Sequence, residues 1–455
     1  MVDVLLLQPR YEWFEKARVY PTGPPLGLGY IGAVLGGKGF TLAALDFNID
    51  AMSLNEEAAS ILSINPKVVC ISVNTPSLPA VYTLVRRLRG LGFEGDFLFG
   101  GPHINARPET LVALDGRYAI KGEGEVGVEG ICSFLLSKKG GVDEVPNLVI
   151  NDDGVLHFNE HRVIKDLDSL PLPKRSLFEG NRYKFMHITC SRGCPFKCTY
   201  CSMAESGYRK REPQHIVDEL EYVAREYQNA SIAFSDDVLT LDREMVLGVC
   251  AEVINRGLKA KWSCTTRSDL VDEELIGCMQ KAGCWHMSFG VESGVEGIRY
   301  SLGKEITNKQ YVKAFQLCKK MGVKTRAYAM FGHPKETAKE MRETIRFIKE
   351  INADEVFFSL TSIYPNTRLA AQAVKEGRIS DCVWEENMRR GLGAPIYVPD
   401  NLTLEDMKGV LYDALMQFYL KPHTIMKNFL RARSVDELKQ ALSLFNGFIS
   451  NTLSI

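Results

Sequence analysis

The stretch CSRGCPFKCTYC, residues 190–201, holds four of the twelve cysteines in this 455-residue chain. Three of them, Cys194, Cys198 and Cys201, have the spacing CxxxCxxC, which lets their thiolates converge on one corner of a loop. A structural zinc site normally takes a fourth ligand from a second knuckle or a histidine pair, and the sequence downstream contains no such knuckle. The triplet therefore favours a [4Fe–4S] cluster with one iron open to a ligand, and zinc stays as the alternative.

The other cysteines lie singly along the chain. Cys190 stands four residues before Cys194 and is interpreted as a neighbour, because only Cys194 opens the full triplet. Buried, inert thiols are expected for the rest, since free cysteine packs as a small hydrophobe. These are Cys70, Cys132, Cys250, Cys264, Cys278, Cys284, Cys318 and Cys382.

Composition and charge limit the classes of protein to which the chain can belong. The chain is 45% hydrophobic with a net charge of −1, so we expect two or three domains and neither a nucleic acid nor a membrane as partner. The N-terminus lacks a signal-peptide pattern, and no run of eighteen apolar residues occurs. A soluble, cytoplasmic protein is expected, and in that reducing compartment the cysteine cluster indicates metal binding rather than disulfides.

The segment CPFKCTYC, with the aromatic Tyr200 before its last cysteine, resembles the signature of the radical S-adenosylmethionine (SAM) enzymes. By that resemblance, Cys194, Cys198 and Cys201 ligate the cluster, and the open iron chelates SAM, which is cleaved to a 5′-deoxyadenosyl radical. The resemblance also implies anaerobic chemistry and an electron donor of ferredoxin or flavodoxin type.

Apolar strands alternate with amphipathic helices after the cysteines, which is typical of a parallel α/β array. Six such units suit the partial (β/α)6 barrel of the resembled family, in which chemistry gathers at the C-terminal strand ends. By resemblance, Asp236 and Asp237 hold the SAM amino group, although a helix N-cap is the alternative for them. Arg267 is matched to the SAM carboxylate, because a guanidinium pairs with a carboxylate through two hydrogen bonds.

The remaining SAM-binding residues are also assigned by resemblance. Glu292 and Ser293 in FGVESG match the ribose position, and Gly332 in FGHPKET matches a turn near adenine. Tyr200 joins this set. No residue is assigned a catalytic role.

The first 160 residues contain five short apolar runs separated by helical stretches, which predicts a doubly wound, Rossmann-like sheet. The GxGxxG spacing of a nicotinamide site is missing. Ahead of a radical SAM core, this unit resembles a cobalamin-binding domain. The residues then matched to cobalamin lie on strand ends and are Ser72, Asn74, Thr75, Gly100, Gly101, His103, Glu123 and Gly124.

One motif of cobalamin-binding proteins is missing from this unit. The DxHxxG motif with its cobalt-ligating histidine does not occur, and Asn48 stands where that histidine would be sought. Cobalamin without a histidine ligand is therefore expected. His103 is interpreted first as a hydrogen-bonding or helix-capping residue, with cobalt ligation as its alternative.

The predicted layout has four parts. These are a cobalamin-binding domain over 1–160, a linker over 161–184, a radical SAM core over 185–372 and a small helical region over 373–455. In the last part, TLEDMKGVLYDALMQFYLKP and SVDELKQALSLFNGFIS have helical periodicity behind Thr and Ser caps. These helices either cover the barrel mouth or complete the core.

The two-part resemblance implies a methyltransferase that uses methylcobalamin to methylate an unactivated carbon. A peptidyl residue is the expected acceptor, with the archaeal glutamine C-methyltransferase acting on methyl-coenzyme M reductase as the leading example. Alternatives are a ring-closing or oxidising enzyme, methylation of a small molecule, and a non-enzymatic cobalamin-binding regulator. A methylthiotransferase needs three further N-terminal cluster cysteines, and only Cys70 and Cys132 precede residue 190.

Overall fold

Two sheets, one mainly and one entirely parallel, organise the chain in a computed structural model, which describes residues 2–11, 23–50, 52–137, 141–178, 182–228 and 230–419. The first sheet has seven strands, and the second is formed by six parallel strands. Both parts of the predicted α/β fold class are thereby confirmed. Within the described residues, none of the helices combines the length and the apolar composition needed to cross a bilayer.

The first sheet starts with the five predicted strands, which pair in parallel. They are β1 (Val4–Gln8), β2 (Leu42–Asp46), β3 (Val68–Ser72), β4 (Asp96–Gly100) and β5 (Tyr118–Ile120). The order 2-1-3-4-5 is a doubly wound arrangement, which binds ligands beyond the carboxyl ends of its strands. Strands β1 and β3 are almost continuously apolar and buried, because helices cover both faces of the sheet.

An antiparallel hairpin, which the sequence analysis did not predict, extends this sheet. It consists of β6 (Leu148–Asp152) and β7 (Val155–Phe158). Asp153 and Gly154 form its turn, with φ angles of 47° and 90°. An Asp-Gly pair with positive φ angles is a strong hairpin signal, and it is visible in the segment NDDGVLHF.

Six helices accompany the first sheet. They are α1 (Leu26–Gly37), α2 (Leu54–Ile64), α3 (Leu78–Gly90), α4 (Pro102–Ala106), α5 (Thr110–Ala113) and α6 (Val128–Ser137). The segment predicted as a linker runs along α1, where the Lys174 amide donates to the Gly29 carbonyl over 2.9 Å. A side chain at Gly32 would place its Cβ 2.4 Å from Leu177 of that linker. The glycines of α1 thus allow the linker to pack closely against the helix.

The second sheet has six strands, every neighbouring pair is parallel, and the strands lie side by side in the order of the chain. Its strands are β8 (Phe185–Ile188), β11 (Ser231–Phe234), β12 (Trp262–Thr266), β13 (Cys284–Glu292), β14 (Lys324–Phe331) and β15 (Glu355–Leu360). A short hairpin of β9 (Ser191–Arg192) and β10 (Arg209–Lys210) follows β8. The six predicted strand-helix units of the partial barrel are confirmed.

Nine helices complete the described chain. They are α7 (Pro213–Glu226), α8 (Arg243–Asn255), α9 (Glu273–Lys281), α10 (Glu296–Ser301), α11 (Asn308–Lys320), α12 (Ala338–Glu350), α13 (Arg368–Lys375), α14 (Val383–Arg390) and α15 (Leu404–Tyr419). Helix α15 packs on α12 and β15, so it completes the core of the second sheet. Helix α14 packs on α3 of the first unit. The second predicted tail helix, SVDELKQALSLFNGFIS, lies outside the described residues.

Candidate functional site

The cysteine triplet lies in the loop of the β9–β10 hairpin, at the C-terminal end of β8. Gly193 has a φ of +94°, and a Cβ on it would lie 2.0 Å from the Gly207 carbonyl oxygen. Only glycine tolerates both conditions. The Cys194 amide donates to the Ser206 hydroxyl over 2.9 Å, which ties the two sides of the loop together.

The three thiols lie close enough to influence one another. Burial, with the neighbouring Cys198 and Cys194 thiols adding to it, raises the pKa of Cys201 to about 11 although the Met203 amide lowers it. That amide donates to the Cys201 sulfur over 3.4 Å. Among the described residues, no three His, Cys, Asp or Glu side chains can share a single metal ion. A four-iron cluster takes each thiolate on a separate iron, and it would compensate the crowded thiolate charge, so the triplet fits that group.

Cys190 differs from the triplet in its surroundings. Its side chain is fully buried in the apolar core between sheet and helices. Its amide donates to both carboxylate oxygens of Asp236 over 3.1 Å. Cys190 therefore belongs to the core rather than to the loop.

The cluster loop is held by the following segments of the chain. The Thr199 amide donates to the Leu302 carbonyl, and the Leu369 amide donates to the Thr199 carbonyl, both over 2.9 Å. Tyr200 packs against an apolar cluster that includes Trp384. Its hydroxyl bonds to Glu292, and burial together with the charge of Glu292 raises the pKa of Tyr200 well above its ordinary value.

The two aspartates after β11 have different environments. Asp236 is buried and accepts from the Ser191 hydroxyl over 2.5 Å as well as from the Cys190 amide. Burial raises its pKa to about 6. Asp237 is exposed at the strand end. Asp236 thus braces the base of the hairpin, whereas Asp237 stays exposed beside it.

Arg267 directly follows β12 and lies beside the cluster loop. Its guanidinium pairs with both carboxylate oxygens of Asp269 over 3.0 and 2.8 Å. The same group lies over the ring of Phe196, which the sequence analysis did not single out. Phe196 lies between Cys194 and Cys198 in the sequence. An aromatic residue inside the cysteine motif is the signal by which the sequence could have identified it.

Glu292 ends β13 in a left-handed conformation, with a φ of +63°. The buried Lys304 donates to its carboxylate over 2.9 Å and to the Gly290 carbonyl over 2.6 Å. Burial lowers the pKa of Lys304, but Glu292 raises it further, so the amine stays charged. Ser293 is fully buried, and its hydroxyl lies 3.1 Å from that of Thr344. Both residues are therefore buried, Glu292 against Lys304 and Ser293 against Thr344.

Gly332 follows β14 with a φ of +85°. Its amide and that of His333 donate to the same oxygen of Glu336, over 2.8 and 3.1 Å. Glu336 is fully buried, and burial raises its pKa to about 7. The sequence analysis missed His333 and Glu336, although both belong to the quoted segment FGHPKET.

A cavity of about 760 Å³ separates the first sheet from the cluster hairpin. Five of the residues matched to cobalamin line it, namely Ser72, Gly100, Gly101, Glu123 and Gly124. The hairpin contributes Gly193, Met203 and Ser206, which neighbour the ligand cysteines, and the start of α1 contributes Leu26 and Tyr30. Asn74, Thr75 and His103 do not line it.

The walls of this cavity leave room for a large, flat ligand. Gly27 and Gly207 both line it, and a Cβ on either would meet no protein atom within 4 Å. A Cβ on Gly100 would meet only the Ile120 carbonyl oxygen at 3.8 Å. Side chains at these positions would extend into open space, so the glycines keep the cavity wide enough for a cobalamin, and the residues present fit that group.

His103 points away from the cavity into a buried hydrogen-bond network. Its Nδ1 lies 3.0 Å from the Thr75 hydroxyl and its Nε2 lies 3.1 Å from that of Thr110. Thr110 in turn donates to Glu385 of α14 over 2.7 Å. Burial lowers the pKa of His103 to about 4. Both ring nitrogens are engaged, which agrees with a hydrogen-bonding histidine.

Two known families match the chain. The radical SAM superfamily matches residues 188–348, and the B12 binding domain matches residues 16–131. An uncharacterized methyltransferase of Pyrococcus horikoshii is 27% identical over 441 residues, with 94% of this chain and 95% of the relative covered. An anaerobic magnesium-protoporphyrin IX monomethyl ester cyclase of Rubrivivax gelatinosus is 25% identical, with 91% of this chain and 76% of the relative covered.

The fold also matches a solved structure along most of its length. The radical S-adenosylmethionine methyltransferase TsrM from Kitasatospora setae, with tryptophan and a SAM analogue bound, superposes with a TM-score of 0.74 at 16% identity. The match covers 91% of this chain and 89% of that one. Fold, cysteine hairpin and interdomain cavity define a radical SAM enzyme with a B12-binding domain. The chain thus combines a match to the radical SAM superfamily with a match to the B12 binding domain, and the cofactors that these domains imply are a [4Fe–4S] cluster, SAM and cobalamin. In this combination it is similar to cobalamin-dependent radical SAM methyltransferases.

Proposed function

We propose that this protein methylates an unactivated carbon by a radical route. The proposal rests on one observation, which is that residues of both predicted cofactor sites line the same cavity. Gly193 and Met203, each beside a ligand cysteine, line the same cavity as Ser72 and Gly100 at the strand ends of the B12-binding domain. A substrate in that cavity lies between the two cofactor sites, as a radical methyl transfer requires.

The chemistry divides between cofactors and protein. When bound, the cluster and SAM supply a radical that removes a hydrogen atom from the substrate, and cobalamin carries the methyl group. The chain orients these groups. We propose that Asp237, Glu292 and the Gly332 turn hold SAM, since they lie at the carboxyl ends of β11, β13 and β14.

Two acceptors are proposed. The first is a peptidyl carbon, for which the glutamine of methyl-coenzyme M reductase is the leading example, and it rests on the resemblance of the domain layout. A peptide can bind through extended backbone pairing and side-chain pockets without a strong global charge. The second is a small molecule, which the tryptophan-bound methyltransferase and the magnesium-protoporphyrin ester cyclase support.

The experiment uses anaerobically reconstituted enzyme with hydroxocobalamin, a reductant and methyl-deuterated SAM. Separate reactions contain a glutamine peptide from the reductase, tryptophan, and a magnesium-porphyrin ester. A mass gain of one deuterated methyl on a substrate carbon supports methyl transfer and identifies the acceptor class. Ring closure or oxygen insertion without added methyl would replace the methyltransferase proposal by the cyclase type. The Cys198→Ala variant is the control that lacks radical formation.

A further inference from the structure

Glu123, three residues after the end of β5, binds two arginines of the cluster hairpin. Arg192 donates to its Oε1 over 2.7 Å, and Arg209 donates to both of its oxygens over 3.0 Å. The Ile164 amide donates to its Oε2 over 2.7 Å. Four hydrogen bonds from three residues therefore converge on one carboxylate, which leaves it little capacity to bind a ligand directly.

The two arginines occupy matching positions in the hairpin. Arg192 of β9 and Arg209 of β10 are direct partners in the antiparallel register. Arg192 stands two residues before Cys194, and Arg209 stands three residues after Ser206, whose hydroxyl accepts from the Cys194 amide. The Glu123 carboxylate thus binds both strands of the hairpin that carries the cluster loop.

Arg192 makes a second contact with the B12-binding domain. Its other terminal nitrogen donates to Glu125 over 2.6 Å, and its guanidinium lies over the ring of Tyr30, 5.3 Å from the centroid. Tyr30, Glu123, Glu125, Arg192 and Arg209 all line the interdomain cavity. The contact therefore joins the wall of the cobalamin chamber to the stem of the cluster loop.

These ion pairs are largely shielded from water. The exposed fractions are 14% for the Glu123 side chain, 8% for Glu125 and 23% for each arginine. Burial raises the pKa of Glu123, but the Ile164 amide and Arg192 lower it further, so the carboxyl group is ionised at neutral pH. Buried, hydrogen-bonded charge pairs hold their geometry better than exposed ones do.

We propose that Glu123, Arg192 and Arg209 form a clamp that sets the position of the cluster loop relative to the cobalamin chamber. They are positioning residues for the proposed methyl transfer, on which this inference rests. Loosening the clamp would let the cluster loop move relative to the cavity wall, so that radical formation would no longer be coupled to methyl transfer. Glu123, matched to cobalamin from the sequence, would then act through the hairpin.

The test compares Glu123→Gln with Glu160→Gln, which makes the same change in an exposed pair with Arg162. Hydrogen exchange of the 193–208 amides is measured in enzyme carrying the cluster alone. We expect the exchange rate in Glu123→Gln to rise by about fivefold or more, because about fivefold is the smallest effect typical of coupling between two sites in a protein. The rate in Glu160→Gln should equal that of wild type. Equal exchange in all three proteins would overturn the clamp, whether or not methyl transfer occurs.

A second measurement separates positioning from general stability. With cobalamin bound, spin–spin coupling between reduced cluster and cob(II)alamin gives their distance distribution, and product analysis gives deoxyadenosine formed per methyl transferred. The clamp predicts a broader distribution and a higher ratio in Glu123→Gln. An unchanged distribution with a lower melting temperature would show a purely structural role. Absence of methyl transfer in wild-type enzyme rejects the proposed function but leaves the exchange test intact.

Two arginine variants sharpen the test. Arg209 reaches Glu123 with one nitrogen, so Arg209→Lys can keep the contact. Arg192 uses two nitrogens to reach Glu123 and Glu125, which a single ammonium group cannot replace. We expect Arg192→Lys to raise the exchange rate of the 193–208 amides as much as Glu123→Gln does, and Arg209→Lys to raise it less. The reverse order would contradict the assigned geometry.

Discussion

The guanidinium carbon of Arg267 lies 3.6 Å from the centroid of the Phe196 ring. Asp269 fixes the plane of that guanidinium through two hydrogen bonds. The end of β12 therefore holds the cluster loop by a cation–π contact between its first two ligand cysteines. Such a contact, when desolvated, contributes about 2 kcal/mol.

This contact predicts the behaviour of Arg267→Lys. Lysine keeps the charge but loses the planar group that stacks on the ring. We expect the cluster to form and to release iron faster to a chelator, since a loss of about 1–2 kcal/mol corresponds to roughly 5- to 30-fold in equilibrium opening of the loop. Phe196→Leu should have a similar effect. A release rate equal to wild type in both variants would contradict the role of the stack.

The cysteines give the second prediction. Replacing Cys194, Cys198 or Cys201 by alanine should abolish reductive SAM cleavage and lower the iron content per chain. Cys190→Ala should keep the cluster and cost about 1 kcal/mol of stability, because the residue is buried in the core. Iron analysis and deoxyadenosine formation check both statements. Cluster loss in Cys190→Ala with a retained cluster in Cys194→Ala would refute the assigned register.

Lys304→Met tests the support of Glu292. The substitution leaves a buried carboxylate without its cation, which costs about 3–5 kcal/mol. Glu292 also accepts from Tyr200 of the cluster loop, so we expect weaker SAM binding besides lower stability. Equilibrium dialysis with SAM measures the first effect and urea unfolding the second. The exposed Lys320→Met, which loses only a surface pair with Glu273, is the matched control.

Gly332→Ala should be destabilising by about 2–4 kcal/mol, from the left-handed φ and from overpacking. A Cβ at this position would lie 2.1 Å from the Met407 methyl carbon of α15. In a Met407→Ala background, which opens space at that contact, we expect the same substitution to cost less. A double-mutant cycle in urea measures the difference, and additive costs would exclude the contact as the cause.

His103 predicts a pH dependence of stability. Its pKa is about 4 in the folded protein, against an ordinary value of 6.5, because burial disfavours the charged ring. As the pH falls from 6.5 towards 4, the unfolded chain takes up the proton first, and the free energy of unfolding drops by about 3 kcal/mol. His103→Gln removes this contribution, so its urea midpoint should vary less over that range. If the urea midpoints of wild type and His103→Gln changed with pH to the same extent, that result would contradict a buried, neutral His103 ring.

The same histidine bears on cobalt ligation. With both ring nitrogens engaged by threonine hydroxyls, His103 cannot reach the cavity without breaking its network. We predict that cob(II)alamin bound to the protein shows no nitrogen hyperfine splitting from an imidazole. Electron paramagnetic resonance checks this, and a splitting that disappears in His103→Gln would refute it.

Local patterns in the sequence determined the class of the fold. The spacing CxxxCxxC, the apolar strand runs and the glycine-rich strand ends are each read within a few residues, because side-chain periodicity and backbone freedom are local properties. They were sufficient to predict both sheets. The signal for the β6–β7 hairpin was equally local, because the segment NDDG contains its turn. The sequence analysis did not predict this hairpin although that signal was present.

Only the tertiary structure decided which polar residues at strand ends remain available to ligands. Asp236 and Asp237 are adjacent, yet the fold brings the Cys190 amide and the Ser191 hydroxyl onto Asp236 alone. Glu123 meets arginines that lie 69 and 86 residues further along the chain. A side chain's type sets what it can bind, but partners so distant in sequence are fixed by strand register and domain packing, to which no local pattern is sensitive.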